Sequence, residues 1–136
     1  MEMPFKDDRE ILDLVHRFES CELNPEDFRH YQHLTVALWY LRQFPYEVAS
    51  EKIRTGIKKL AAAYGKTGYH ETITLFWLRI VSNFAAADDT APIWALANRL
   101  VAAHDDKNLI QHYYSEELIA SAEAKRVWVS PDLKSL

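Results

Sequence analysis

The sequence YHETITLFWLRIVSNF, residues 69–84, decides the fold of this chain. From Ile73 to Phe84 it is apolar on nearly every side, which is typical of a helix surrounded by other elements rather than one lying on a surface. Its first turn nevertheless carries His70, Glu71 and two threonines. Such groups need partners, because an unpaired buried polar group costs about 1–3 kcal/mol and a charged one costs more. The stretch therefore predicts a central buried helix, and its polar start raises the question of function.

The composition indicates one globular domain over residues 1–136. Hydrophobic residues make up 49% of the chain and include four Trp, seven Tyr and six Phe, which is enough for one core without disulfides. The net charge is −4, from 16 basic and 20 acidic residues that are interspersed along the sequence. Binding to nucleic acid or to an anionic membrane surface needs a basic face. We therefore expect no nucleic-acid partner and no membrane partner.

Three further features predict a cytoplasmic protein. The run from Tyr31 to Leu41 carries no Asp, Glu, Lys or Arg, yet it is too short to span a bilayer. The first eight residues, MEMPFKDD, lack the basic start and the apolar run of a signal peptide. A lone cysteine, Cys21, cannot form an internal disulfide, which is compatible with a reducing compartment.

Hydrophobic periodicity and capping residues predict helices along the whole chain. The strongest start is Asn24-Pro25, where Asn caps a helix and Pro fits its first position. The three glycines and five prolines fall as punctuation. We expect an all-α fold, a single-domain bundle of about five longer helices with a short helical C-terminal addition and an irregular tail packed through Trp128. The predicted helices cover residues 8–20, 25–43, 46–64, 69–86 and a fifth from Pro92, then a short helix to Tyr113 and another over 116–125.

Three histidines form a candidate metal site. His30 and His33 are three residues apart, so both can project from one side of the second helix, and His70 lies on a line running into the bundle interior. Two or three imidazoles with a carboxylate form the usual ligand set of a divalent transition metal. We therefore predict His30, His33 and His70 as ligands of zinc, iron or nickel, between the second and fourth helices. The residues predicted to line the pocket around this site are Tyr40, Thr74 and Trp77.

Glu71 is the candidate catalytic group beside that metal. Adjacent helical residues point about 100° apart, so His70 and Glu71 are not expected to be ligands side by side. Glu71 would instead orient an imidazole or act as a base toward metal-bound water. The spacing matches neither the His-Glu-x-x-His motif nor a di-iron carboxylate pattern.

Three alternatives to a metal-dependent enzyme remain open. The polar residues can be purely structural, since a histidine at a helix start often bonds backbone and a first-turn glutamate serves the helix dipole. The chain can be a non-enzymatic helical module that binds a small molecule or a protein partner, including a second copy of itself through its aromatics. It can also be a metal-free hydrolase or isomerase with Glu71 as base and His70 as acid. Whether the protein is an enzyme is left open by the sequence.

Three segments resemble a small bacterial all-helical family with no assigned activity. They are FRHYQHL at residues 28–34, YHETIT at 69–74 and WVSPDL at 128–133. The resemblance implies a bacterial, cytoplasmic and all-helical protein, and it implies no reaction or ligand.

Overall fold

The apolar stretch around Phe76 forms a helix with packing partners on both sides. In the computed structural model, which describes residues 3–136, this is the fourth helix of an all-α fold, and the described residues contain no strand. The predicted fold class is confirmed. The elements are α1 (Asp8–Glu19), α2 (His30–Gln43), α3 (Tyr46–Ala63), α4 (Glu71–Ala86), α5 (Ile93–His104), a 3-10 turn (Leu109–His112), α6 (Glu116–Ile119) and α7 (Ala122–Arg126).

Two hydrophobic cores flank α4. Leu78 and Val81 belong to the main core, which α4 forms with α1, α2, α3 and α5. Phe76 belongs to a smaller core with Ile110 and Tyr114, against which the C-terminal elements pack. The helix therefore packs against other elements on two sides, as expected, although Arg79 and Asn83 are exposed. Its position between two cores explains why most of the stretch is apolar.

The second helix starts five residues later than predicted, at His30 instead of Pro25. The Asn24 side chain accepts a hydrogen bond from the backbone N–H of Glu26 at 2.9 Å, so it caps a local turn instead of a helix. The chain then brings Phe28 into the core, with its ring centre 5.6 Å from that of Phe18. Helical backbone begins at His30, two residues after this buried phenylalanine. The burial of Phe28 thus prevails over a favourable local capping sequence.

The C-terminal helices are shorter than predicted because the chain contains two serine caps. Ser115 accepts a hydrogen bond from the N–H of Leu118 at 3.2 Å, and Ser121 accepts one from Ala124 at 3.1 Å. The expected helix over residues 116–125 is therefore two separate helices, α6 and α7. The short helix predicted to reach Tyr113 is the 3-10 turn.

Gly56 lies inside α3 and inside the predicted helix over residues 46–64, so the general expectation that glycines fall as punctuation fails at this position. A Cβ atom at this position would lie 2.5 Å from the ring of Phe18 on α1. The absence of a side chain at Gly56 therefore allows α1 and α3 to approach closely. Gly65 and Gly68 behave as expected, since their φ angles of 65° and 100° place them in turns that other residues rarely adopt.

The C-terminal tail is fastened to the start of α4. The Thr72 hydroxyl donates to the Val127 carbonyl at 2.9 Å and accepts from the Val129 N–H at 3.2 Å. Trp128, between them, packs into the smaller core, as predicted, and the guanidinium of Arg79 lies 4.3 Å from its ring centre.

Within residues 3–136, none of the helices combines the length and the apolar character that a membrane-spanning helix requires. The first two residues of the predicted domain, Met1 and Glu2, lie outside the described range.

Candidate functional site

A cavity of about 400 Å³ lies between α2, α3, α4 and the segment that enters the 3-10 turn. Most of its wall is apolar, and its polar wall residues are mainly those at the starts of α2 and α4. Gly68 and Lys107 are exposed and mark where the cavity opens to solvent. We call this space the histidine cavity. It is lined by His30, His33, Leu34, Ala37, Ile53, Ile57, Gly68, Tyr69, His70, Ile73, Thr74, Trp77, Leu78, Val81, Lys107 and Ile110.

The first turn of α2 contributes two imidazoles to the cavity wall. The His30 ring meets Trp77 of α4 edge to face, with ring centres 4.4 Å apart. The His33 ring stacks on Phe28 at 3.7 Å. The Nε2 atom of His30 is buried and has no hydrogen-bond partner in the part of the chain that the structure describes. Aromatic packing thus holds both rings, and each ring also interacts with a backbone group, that of His104 for His30 and that of Phe28 for His33.

Both imidazoles of α2 are held in the neutral form at neutral pH. Burial, together with the nearby charge of His30, lowers the pKa of His33 to about 4. Burial also lowers the pKa of His30, and the backbone and carboxylates of residues 104–106 offset only part of this effect. Their place at the positive end of the α2 dipole further disfavours a cation, since no acidic residue occupies the first turn of α2.

His70 uses both ring nitrogens within the protein. It caps α4, and its Nδ1 atom accepts a hydrogen bond from the Ile73 N–H at 3.1 Å. Its Nε2 atom lies 2.6 Å from the Ile119 carbonyl oxygen, which can only accept, so Nε2 carries the proton. The ring therefore links the start of α4 to the end of α6. A metal could bind His70 only if one of these two bonds were broken.

Glu71 is paired with Arg54 of α3 and lies outside the wall of the histidine cavity. Its two carboxylate oxygens accept from Arg54 at 3.1 and 2.5 Å, and the Tyr69 hydroxyl donates to it at 2.6 Å. Burial raises the pKa of Glu71, but these hydrogen bonds and the charges of Arg54 and Lys58 outweigh burial and hold the pKa below its ordinary value. Glu71 is therefore an ionised carboxylate whose oxygens already have partners.

The structure brings most, but not all, of the predicted site residues to one place. His30, His33, His70, Thr74 and Trp77 line the histidine cavity. Thr74 donates its hydroxyl hydrogen to the His70 carbonyl at 2.9 Å.

Tyr40 was predicted in the same pocket but lies elsewhere. Its hydroxyl donates to Glu19 of α1 at 2.5 Å, and its ring packs against Phe18. Tyr40 thus contacts α1 and is not among the residues that line the cavity.

The described residues contain no group of three or more His, Cys, Asp or Glu side chains placed to hold a metal ion. The predicted ligands thus share a cavity wall without forming such a group.

Two polar wall residues were not predicted from the sequence. Tyr69 precedes the predicted ligand His70 and belongs to the hydrogen-bonded group around Glu71. Lys107 lies in a loop among charged residues, so helical periodicity could not have predicted that it lies near α2 and α4.

Comparison of this chain with protein-family models, with curated proteins and with solved structures finds no match. The resemblance to a bacterial helical family therefore remains an expectation from three short segments.

Proposed function

We propose that this protein binds a small, mainly apolar molecule in the histidine cavity. The observation that carries the proposal is the cavity itself, about 400 Å³ in volume and open to solvent beside Gly68 and Lys107. Ligand pockets typically range from about 300 to 1,000 Å³ and combine apolar walls with a few polar groups. The wall residues Leu34, Ile57 and Trp77 would supply apolar contacts.

Binding has more support than metal-dependent catalysis. The predicted ligand His70 has both nitrogens bonded within the protein, and the predicted base Glu71 is paired with Arg54 outside the cavity wall. His30 and His33 are neutral, which suits contact with an uncharged part of a ligand, because neutral rings are less costly to desolvate than imidazolium ions. The proposal is therefore for a binding protein rather than for an enzyme.

The proposal is tested by titrating the protein with 2-naphthol, indole and 1-octanol. Binding is measured by calorimetry, and the site is located from amide chemical-shift changes in NMR spectra. We expect at least one probe to bind and to shift the amides of residues 30–37 and 68–78. The Ala37→Phe variant fills the cavity from α2 and should weaken binding at least about tenfold, a loss of roughly 1.4 kcal/mol.

The matched control is Ala62→Phe, the same substitution at an exposed position of α3 outside the cavity wall. This variant should bind as the unmodified protein does, and circular dichroism checks that both variants are folded. Failure of all three probes to bind, or equal binding by the two variants, would refute the proposal.

A further inference from the structure

We infer that the natural ligand of the histidine cavity is an uncharged alcohol or phenol, with its hydroxyl group hydrogen-bonded to Nε2 of His30 and its apolar body against the cavity wall. This inference rests on the proposed binding function and adds the chemical class of the ligand. It follows from a buried wall atom that has no partner among the described residues, and from the charges that act on the ring of that atom.

Several polar side chains of the cavity wall already have partners. Tyr69 donates its hydroxyl hydrogen to Glu71, and Thr74 donates to the carbonyl of His70. His70 itself uses both of its ring nitrogens. Among the buried side-chain nitrogen and oxygen atoms of the described wall residues, only Nε2 of His30 has no hydrogen-bond partner. A polar group of a ligand therefore finds a free partner at His30.

A hydroxyl group suits this nitrogen in either tautomer of the ring. A neutral imidazole carries its proton on one nitrogen and accepts at the other, whereas a hydroxyl group can both donate and accept. It can therefore satisfy Nε2 whichever nitrogen of His30 holds the proton. Because Nε2 is buried, the ring must turn toward the cavity for this bond to form, and no hydrogen bond at Nε2 opposes that turn. The bond would remove the cost of leaving a buried polar atom unpaired.

Neither a cationic nor an anionic ligand group fits beside His30. Burial lowers the pKa of His30, and the nearby carboxylates of Asp105 and Asp106 offset only part of this effect, so a positive charge is disfavoured here. An anion would lose its hydration as well. It would also be repelled by the two carboxylates, which act on His30 more strongly than the ammonium of Lys107 does. The polar group of the ligand is therefore expected to be uncharged.

The wall around His30 matches a hydrocarbon or aromatic body. The His30 ring lies 4.4 Å from the ring of Trp77, measured between centres, so a hydroxyl group at Nε2 brings the adjoining part of the ligand close to the indole. Leu34 follows His30 by one helical turn and Val81 follows Trp77 by one turn, and both line the cavity. An aromatic ring or an alkyl chain attached to the hydroxyl group would contact these side chains.

The experiment compares 2-naphthol with naphthalene, which has the same ring system and lacks the hydroxyl group. Affinities are measured from amide chemical-shift changes for the unmodified protein and for the His30→Phe variant, which keeps an aromatic ring beside Trp77. The ratio of the 2-naphthol affinity to the naphthalene affinity should fall about tenfold in the variant, because one neutral hydrogen bond is lost. The affinity for naphthalene should stay within about threefold, because naphthalene has no hydrogen bond to lose.

Two further measurements use the unmodified protein. The NMR chemical shift of a ring nitrogen changes when that nitrogen gains a hydrogen bond, so 2-naphthol should shift the Nε2 signal of His30 and naphthalene should leave it nearly unchanged. This measurement decides the question if His30→Phe does not fold, and an Nε2 signal that 2-naphthol does not shift would overturn the inference. The anionic probe 2-naphthoate should bind at least about tenfold more weakly than 2-naphthol, because its charge would lose hydration.

The control variant is His16→Phe, the same substitution at an exposed histidine of α1 outside the cavity wall. It should leave the affinity ratio unchanged, and circular dichroism checks that both variants are folded. An unchanged ratio in His30→Phe would overturn this inference and leave the proposed function standing, because water or another group would then satisfy Nε2. Binding of 2-naphthoate as tight as that of 2-naphthol would also overturn it. Failure of every probe, including naphthalene, would instead refute the proposed function.

Discussion

Acidification should destabilise this protein through His33 before most carboxylates are protonated. The pKa of His33 is about 4 in the folded protein, against 6.5 for an ordinary histidine. The unfolded chain therefore takes up a proton at this residue first as the pH falls. The contribution of His33 to the free energy of unfolding is fully present above pH 6.5 and is lost between pH 6.5 and 4. At 1.36 kcal/mol per pKa unit, the full loss is about 3 kcal/mol, and about 2 kcal/mol of it is lost by pH 5.

The test is urea denaturation of the unmodified protein and of the His33→Phe variant at pH 7.5, 6, 5 and 4.5. A phenylalanine keeps the stacking on Phe28 and has no proton to bind. The unmodified protein should therefore lose about 2 kcal/mol more than the variant between pH 7.5 and 5. Titrating groups that do not interact with His33 contribute equally to both proteins and cancel in the difference. His30 is coupled to His33, so the difference reports the two imidazoles together. The control His16→Phe changes an exposed histidine of α1. Stability curves for His33→Phe and the unmodified protein that remain parallel down to pH 4.5 would refute the reasoning.

Two substitutions test the packing of α3. Gly56→Ala places a methyl group within 2.5 Å of the Phe18 ring. It should lower the free energy of unfolding by about 1–2 kcal/mol despite the better helix propensity of alanine, and unchanged or increased stability in urea denaturation would contradict the close approach. Glu71→Gln removes the charge paired with Arg54, whose side chain is 29% exposed. It should cost about 2 kcal/mol, less than for a fully buried pair, whereas Glu51→Gln at the exposed partner of the same arginine should cost under about 1 kcal/mol. Equal losses for the two glutamates would show that burial does not strengthen the Glu71 pair.

The all-α fold could be predicted because its evidence is local and repeated. Each long helix shows apolar residues at helical spacing, and the run from Ile73 to Phe84 identified the helix between the two cores. The start of α2 could not be predicted from the sequence, because an asparagine side chain can cap a turn as readily as a helix. Here Asn24 caps a turn. What decides between these outcomes is the burial of Phe28 against Phe18, a contact that local sequence rules do not contain.

Only those features of the candidate site that follow from helical spacing could be predicted from the sequence. Helical spacing correctly placed His30 and His33 in the wall that Trp77 of α4 also lines. It did not exclude Tyr40, which lies seven residues after His33 and is therefore rotated only about 20° from it around α2, yet the Tyr40 hydroxyl binds Glu19 of α1. The partners of His70 and Glu71 could not be predicted from the sequence. The carbonyl that His70 contacts is 49 residues away, and Arg54 is 17 residues away from Glu71.

The buried polar groups at the start of α4 have hydrogen-bond partners within the protein, whereas one at the start of α2 has none among the described residues. At the start of α4, His70, Glu71 and Thr72 each have a partner that holds another element in place. These residues are explained by the fold alone, because each bond avoids the cost of burying an unpaired polar group. The buried Nε2 atom of His30 has no such partner within residues 3–136. The fold therefore does not by itself explain a histidine at this position of the cavity wall, where a leucine would avoid that cost. A role for the imidazole in the ligand contacts of the cavity would supply the reason.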